Sequence, residues 1–483
     1  MTALESSITS LLSGVALAFA VVVAILGFVF RERIRNAAQT IRGDWHAISF
    51  HWDDPVALAL LTIVALLLRI PDLWRPMGTD ESATFLYYAS KPLLVGISVY
   101  GSPNNHLLHT MLMHGVFRLF GDAEWALRMP ALLAGVAMVP LTFLAARAIG
   151  TTGGLIAAAI VAAWPALIDY STDARGYTLL CCFVLISVTA MVKIIRTGNR
   201  AACAIFIIAA ALGFFTVPVM LYPFAMLIGF GLTRRRRETL VCLAGVIALS
   251  GILYTPVLIV SGAGAIAANP YVRPLHLTEF LTALPAYAGR VWKAMFVAVP
   301  VAVQVIVFAA FLVAAVKRRW WAGAAAVIAI VLLHHVLPFP RVWLPFIPLV
   351  AVGAASMCPA AERAIAAALC VALGLSALVT PRLRETGELR AVREIARELR
   401  FRARLADPVL MLPPSDLPLV FYTRRTDLLF PDTRRPRMFV IENRDYRQTL
   451  SGILAAYHLD TRSYRTRVVR DFGSSVLYEL TTR

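Results

Sequence analysis

Residues 55–70 read PVALALLTIVALLLRI, and residues 79–82, shortly beyond them, read TDES. The first string is the kind of segment that crosses a bilayer, which needs about 20 predominantly apolar residues. The second places Asp80 and Glu81 just past its end, where carboxylates are costly unless they have work to do. Runs like the first recur along the 483 residues, of which 59% are apolar and 15% charged. We count twelve candidate spans, at about 9–30, 55–71, 127–147, 151–168, 177–196, 200–216, 218–233, 238–260, 292–316, 320–338, 342–357 and 361–380. The expected fold is therefore an all-α polytopic membrane protein with about twelve transmembrane helices.

A net charge of +18 invites a nucleic-acid reading. The basic residues, however, sit in short clusters between spans and in a C-terminal tail, with no single basic domain. Positive-inside reasoning assigns Arg31-Glu32-Arg33-Ile34-Arg35, Lys193 with Arg196 and Arg200, Arg234-Arg235-Arg236-Arg237, and Lys317-Arg318-Arg319 to the cytoplasmic side. With the twelve spans above, all four clusters fall on one side. The Asp80 loop, the loops near 169–177, 261–291 and 338–341, and everything after 381 then face outward. The first apolar segment has the length of a signal peptide but lacks a basic start and a clean small-residue cleavage site, so it reads as a retained span. The six cysteines (Cys181, Cys182, Cys203, Cys242, Cys358 and Cys370) lie in or beside apolar runs and form neither a disulfide framework nor a CxxC metal pattern.

Three parts follow: an additional span and connector over 1–54, a membrane domain over 55–380, and a soluble α/β extracytoplasmic domain over 381–483. Between the second and third spans, 71–126 is too polar to cross but carries helical periodicity at about Ser82–Lys91 and from His106 through Phe120, as expected of juxtamembrane helices on the outer leaflet. After Pro381 the expected elements are helices at Glu388–Arg404 and Arg447–Tyr457. Short strands are expected at 409–412, 419–422, 438–441 and 475–478.

Several polar constellations fall on the outward side. Asp80 has two readings: an N-cap for the following helix with Glu81 in its favourable first turn, or a general base for an acceptor hydroxyl. Asp173 and Arg175, in Ser171-Thr172-Asp173-Ala174-Arg175-Gly176-Tyr177, are either a surface ion pair worth roughly 0–1 kcal/mol or a sugar- or phosphate-facing pair. Asn105, His106 and His109 crowd the start of the second amphipathic helix, where two histidines are weak evidence for a metal. Adjacent His334-His335 are weaker still. Among outward cations (Lys91, Arg273, Arg290, Lys293 and Arg341), Arg341 in Pro338-Phe339-Pro340-Arg341-Val342-Trp343 ranks first for anion binding, at the end of a broken helix. Gly262-Ala263-Gly264 lacks the strand-to-helix setting of a nucleotide loop.

In order along the chain, Asp80-Glu81, Asn105-His106-Leu107, Phe120-Gly121-Asp122, Ala126-Leu127-Arg128-Met129-Pro130, residues 171–177 and Pro340-Arg341-Val342-Trp343 resemble the polyprenyl-phosphate-sugar-dependent transferases of the glycosyltransferase C superfamily. Protein O-mannosyltransferases, the aminoarabinose transferase of lipid A and bacterial galacturonosyltransferases are among these. The resemblance spans about 55–360. It implies Asp80 as the base, Glu81 as its support and Asp173 as a second carboxylate. It also implies Lys91, Arg175 and Arg341 on the donor phosphate, and Asn105, His106, His109 and Tyr177 about the acceptor or cavity. A divalent metal on Asp80 and Asp173 is left open, and no nucleotide or organic cofactor is expected. This chain departs from the family pattern at Leu107-Leu108 (often Pro-Pro), Gly176 (often Pro) and Val342 (often Tyr).

The expected activity is transfer of a sugar from a polyprenyl-phosphate donor to a hydroxyl of an envelope acceptor (glycolipid such as lipid A or lipopolysaccharide, glycan or protein), with inversion, at the outer face of a bacterial inner membrane. The expected partners are that donor, that acceptor and the bilayer, not nucleic acid. The principal rival is a transporter or flippase of lipid-linked saccharide, which would place ionisable residues near mid-membrane. A receptor or scaffold acting through the tail would leave Asp80 replaceable. The C-terminal domain is expected to recognise acceptor or cover the cavity.

Overall fold

The computed structural model describes residues 3–46, 53–267, 271–357, 362–380 and 387–483. Cys358 and the expected domain boundary at Pro381 lie outside them. Helix α1 (Ala3–Val29) meets the rest of the protein through Ile8 and Leu12, which pack with Val95. Helix α2 (Arg31–His46) is amphipathic, and its Asp44 carboxylate accepts from the Arg200 backbone N–H at 2.9 Å. Helix α3 (Pro55–Arg69) opens on an Asp54 cap with proline in its first turn, where no N–H is lost. Leu58, Leu61 and Ala65 on α3 are buried, whereas Leu60, Ile63 and Leu67 are exposed, as a helix facing lipid on one side requires.

Three short helices follow, α4 (Thr79–Thr84), α5 (Leu93–Ser98) and α6 (Leu107–Phe120). Between α4 and α5 the chain makes a wide turn over Phe85–Ala89, where the Ser90 N–H reaches back five residues to the Phe85 carbonyl. Such π-turns are frequent at functional sites. The expected continuous helix over Ser82–Lys91 is thus a short helix running into a π-turn.

The bundle is completed by α7 (Glu124–Ala148), α8 (Gly154–Ala163), α9 (Pro165–Ser171), α10 (Tyr177–Thr197), α11 (Arg200–Thr216), α12 (Leu221–Leu232), α13 (Arg236–Val260), α14 (Ala263–Ala267), α15 (Leu277–Met295), α16 (Val301–Lys317), α17 (Trp321–His334), α18 (Phe346–Ala355) and α19 (Glu362–Val379). Every residue of α8 is buried. Its sequence, GLIAAAIVAA, is apolar all round and rich in alanine, so α7, α18 and α19 approach it closely.

Among the described residues, six helical stretches are long and apolar enough to cross a membrane, or eight if each of two bent pairs is one span. Expected spans at 200–216, 218–233 and 342–357 are apolar helices of 10–17 residues, and the pair α16/α17 is bent by 110°. Length and composition therefore support a multi-pass membrane protein.

The C-terminal part is a four-stranded sheet, order β1-β2-β4-β3, of β1 (Val409–Leu410), β2 (Arg437–Asn443), β3 (Tyr464–Asp471) and β4 (Ser475–Thr482). Helices α20 (Val392–Arg402) and α21 (Asp416–Thr423) cover the face bearing Phe439 and Ile441. Helix α22 (Leu450–Ala456) covers the face bearing Met438 and Val440. The period-2 alternation of β2 thus feeds two layers.

Two expectations fail here. Residues 419–422 form α21, not a strand, because a four-residue apolar run carries no periodicity able to separate the two. Strand β3 was not foreseen, since its YRTRVVRD is polar and exposed at the sheet edge.

Candidate active site

Asp80 and Glu81 share the first turn of α4, whose N-cap is Gly78, so Asp80 is not the cap. Gly78 has no side chain to offer, and Glu81 bends back so that its Oε2 accepts the Gly78 N–H at 2.8 Å. The Glu81 carboxylate is fully buried. It accepts both prongs of the Arg128 guanidinium at 2.7 Å and the Ala174 N–H at 2.7 Å. Arg128 spends its remaining N–H groups on the carbonyls of Leu73 (2.9 Å), Arg75 (2.6 Å) and Pro76 (3.0 Å). The buried pair therefore joins residues 72–78, the start of α7 and the loop after α9. Bidentate geometry and satisfied donors are what such a pair needs to persist away from water.

Asp80 points elsewhere. Its Oδ2 lies 3.7 Å from Arg175 Nη2 and 3.6 Å from Arg341 Nη2 without a hydrogen bond of its own, and the side chain is 23% exposed. The Asp80 backbone carbonyl accepts from Asn104 Nδ2 at 3.0 Å and from Thr84 Oγ1 at 2.9 Å, which orients this turn.

Arg175 is buried and donates toward Thr84 Oγ1 (3.5 Å) and the Asn104 carbonyl (3.4 Å). The second guanidinium, Arg341, comes from a tight turn at Pro340–Trp343 between α17 and α18. Its Nε donates to the Tyr177 hydroxyl at 3.1 Å, and its guanidinium lies 4.4 Å from the Phe339 ring centroid.

His106 closes one side. Its Nδ1 accepts the Gly176 N–H at 2.9 Å, and its Nε2 lies 3.1 Å from Arg175 Nη2. A neutral imidazole accepts at one nitrogen only, so these two donors compete for it. Burial and the neighbouring Arg175 charge push His106 well below the usual histidine range, which keeps it neutral. Gly176 is required by close approach, since an added Cβ would sit 2.7 Å from Thr216 Cγ2 and 3.2 Å from His106. The Tyr177 ring meets His106 edge-on at 5.0 Å.

His109 is fully buried with neither ring nitrogen hydrogen-bonded, and burial pushes it down to about 3. Asn105 serves the fold: its Nδ2 donates to the carbonyls of Gly96 (2.8 Å) and Val99 (2.9 Å), and its Oδ1 accepts from Thr110. Lys91 lies 3.6 Å from Glu5 of α1 and does not join the two arginines. Asp173 and Arg175 are both buried, which removes the surface-pair reading.

Asp80 sits between two guanidiniums, a setting that repels a cation, and among the described residues no group of three or more His, Cys, Asp or Glu is arranged to hold one. The metal expectation at Asp80 and Asp173 does not fit this donor set.

Two arginines escaped the sequence reading. Arg128 was quoted within a motif and given no role, and Arg69 was passed over at the end of an apolar run. An arginine inside an apolar helix was the available signal. Arg69 is fully buried and donates to the carbonyls of Ala65 (2.8 Å) and Ala162 (2.7 Å), with Val161 at 3.5 Å. Pro165 has no N–H, and α8 and α9 meet there at 62°. The last carbonyls of α8 have lost their helical donors, and the Arg69 guanidinium supplies substitutes. That bend aims α9 and the loop after it at the Asp80 turn.

Residues 104–259 match the family model described as dolichyl-phosphate-mannose-protein mannosyltransferase. No curated protein matches the chain in sequence. Among solved structures, ArnT from Cupriavidus metallidurans in the apo state is similar over 87% of this chain and 97% of its own, with 14% identity and a TM-score of 0.59. The same protein bound to undecaprenyl phosphate matches over the same shares with 14% identity and a TM-score of 0.47. Archaeal oligosaccharyltransferase AglB from Archaeoglobus fulgidus, in complex with an inhibitory peptide and a dolichol-phosphate, matches over 76% of this chain and 59% of its own, with 12% identity and a TM-score of 0.45. The resemblance read from the ordered motifs holds in that the family model matches residues 104–259, and the chain shares the fold of ArnT.

Proposed function

We propose that the chain is a membrane glycosyltransferase that moves a sugar from a polyprenyl-phosphate donor to a hydroxyl of an envelope acceptor. One observation carries the reading: a part-exposed carboxylate without a hydrogen bond on Oδ2, Asp80, faces two guanidiniums, Arg175 and Arg341. A reaction that makes a phosphate leaving group while removing a proton from a hydroxyl needs these two functions side by side.

In the proposed reaction, the acceptor O–H gives its proton to Asp80 as its oxygen forms a bond to the anomeric carbon. The bond from that carbon to the phosphate oxygen breaks with inversion. The electron pair leaves on the lipid phosphate, which Arg175 and Arg341 stabilise. Glu81 takes no proton here, since its oxygens are committed to Gly78, Arg128 and Ala174. It is a positioning residue for Asp80 and Arg175. No step is routed through a metal.

An apolar cavity of about 460 Å³ supports a prenyl donor. It is lined by aromatic side chains including Trp164, Phe280, Trp292, Phe296, Phe308 and Trp343, and Trp343 is two residues beyond Arg341. A branched hydrocarbon chain beside a phosphate held by Arg341 matches that polarity. The family description, which names a dolichyl-phosphate donor, points to the same substrate class. Positive-inside charge supports an outward-facing site, and the membrane proposed for it is a bacterial inner membrane. The three-part division at residues 54 and 380 is carried forward with it.

The test is Asp80→Asn in purified full-length protein, given undecaprenyl-phosphate-linked mannose or aminoarabinose and envelope extracts as acceptor. We expect turnover to fall on the order of a hundredfold or more with undecaprenyl phosphate binding retained. Undiminished transfer would remove Asp80 as base.

A further inference from the structure

We propose that the C-terminal α/β layer is a clamp that sets the Asp80 turn, and that Thr79 and Tyr422 are positioning residues for the transfer reaction. The proposal rests on the glycosyltransferase reading above and assigns the layer a task other than recognising the acceptor.

The reason begins with α4 itself. A helix leaves its first N–H groups without partners, and a Ser, Thr, Asp or Asn side chain at the N-cap ordinarily serves one of them. Here the N-cap is Gly78, which has no such side chain. A partner for the first of these N–H groups comes from the far end of the chain, together with an anchor for the Thr79 side chain. The Thr79 N–H donates to the Gly387 carbonyl at 3.0 Å, and the Thr79 hydroxyl donates to the Pro414 carbonyl at 2.7 Å. Thr79 immediately precedes Asp80, so both bonds fix the residue from which the carboxylate-bearing turn starts.

The cradle is shaped for this contact. Gly387 has φ +83°, in the left-handed region, and a Cβ there would lie 2.6 Å from Pro414 Cβ and 3.1 Å from Thr79 Oγ1. Two residues before Thr79, the Met77 N–H donates to the Tyr422 hydroxyl at 3.0 Å. That hydroxyl donates in turn to Glu124 Oε1 at 2.7 Å, a residue four before Arg128 on α7. Burial and the Glu124 carboxylate push the Tyr422 phenol upward, so it remains a donor throughout the physiological range. Beside it, Phe421 meets Phe85 edge-on at 5.4 Å. The turn bearing Asp80 is therefore held from below by the Glu81–Arg128 pair and from above by the C-terminal layer.

The experiment separates clamping from mere attachment of the layer. Thr79→Val keeps the N–H and the branched shape but loses the hydroxyl donor, Thr79→Ser restores it, and Tyr422→Phe removes the Met77 contact. Asp122→Asn breaks the Arg424–Asp122 pair, which ties the layer down away from residues 77–81. In full-length protein in nanodiscs, hydrogen exchange of amides 77–82 should rise on the order of tenfold in Thr79→Val and Tyr422→Phe. It should stay at the parental level in Asp122→Asn and return in Thr79→Ser. With undecaprenyl-phosphate-linked mannose or aminoarabinose, kcat should fall on the order of tenfold while KM and undecaprenyl phosphate affinity hold.

Unchanged exchange in Thr79→Val overturns the clamp. Raised exchange with unchanged kcat overturns the positioning role, as does an equal kcat loss in Asp122→Asn. The exchange readout does not depend on turnover, so transfer that survives Asp80→Asn would sink the functional reading without touching the clamp.

Discussion

Asp80 and Glu81 are neighbours in sequence and opposites in environment. Glu81 is fully buried, with both oxygens occupied by a guanidinium and two backbone N–H groups. Asp80 is part-exposed and faces two guanidiniums at more than hydrogen-bonding distance, so its Oδ2 keeps its acceptor capacity unfilled. The same functional group thus does architecture in one place and is left available for chemistry in the next. What separates them is saturation of the carboxylate's acceptors, a property of the surroundings and not of the residue.

The comparison breaks most sharply at the buried end. Removing one member of a buried, hydrogen-bonded ion pair strands the other, at a cost of about 3–5 kcal/mol. Glu81→Ala and Arg128→Met should each lower thermal stability markedly and reduce the yield of folded protein in detergent, whereas Asp80→Asn should leave the melting temperature nearly unchanged while abolishing turnover. If Asp80→Asn destabilises as much as Glu81→Ala, the division of labour fails.

Next come the arginines on the open side. A charge-assisted hydrogen bond contributes about 1.5–3 kcal/mol, so Arg341→Gln should weaken undecaprenyl phosphate binding roughly tenfold to a hundredfold by titration calorimetry. Lys91→Met, whose partner is Glu5, should change that affinity by less than about threefold. An equal loss in both would restore Lys91 to the phosphate site.

Arg69 offers a test of smaller size. Arg69→Met leaves the last carbonyls of α8, just before the break, unpaired, for about 1–3 kcal/mol of stability. Pro165→Ala returns an N–H to that break and should recover part of the loss in the double variant. Independent, additive effects would deny the pairing.

The smallest effect is a pH dependence. Folded His109 stays neutral down to about 3, whereas an unfolded histidine titrates near about 6.5. Between those values the unfolded state binds the extra proton, so the contribution of His109 is full above about 6.5 and is lost as pH falls toward 3. Melting temperature should drop between pH 7 and pH 5, with a shallower slope in His109→Phe. An unaltered slope would assign the acid sensitivity elsewhere.

Much of this architecture was legible. Long apolar runs announced a multi-pass membrane protein because the bilayer imposes a length on every crossing, and strand β2 was legible from the short apolar run at 438–441. The shared neighbourhood of Asp80, Arg175, Arg341, His106 and Tyr177 was expected from motif order, and the structure brings them together. Asn105 and Lys91 were expected beside them and instead serve the α5–α6 turn and α1. Residues 419–422 were misread because tertiary packing, not local pattern, chose helix for them. The apolar run at 151–168, which composition alone reads as straight, is bent by 62° between α8 and α9.

By itself the sequence determined the solvent this chain lives in, the rough order of its helices and the chemical types present at their ends, since these follow from local composition and bilayer thickness. Only the tertiary structure decided which of two adjacent carboxylates is spent on the fold and which is open, and that Thr79 at the start of α4 is held by the carbonyls of residues 387 and 414. Those outcomes depend on partners some 50 to 300 residues away, brought within hydrogen-bonding reach by packing that no local pattern encodes.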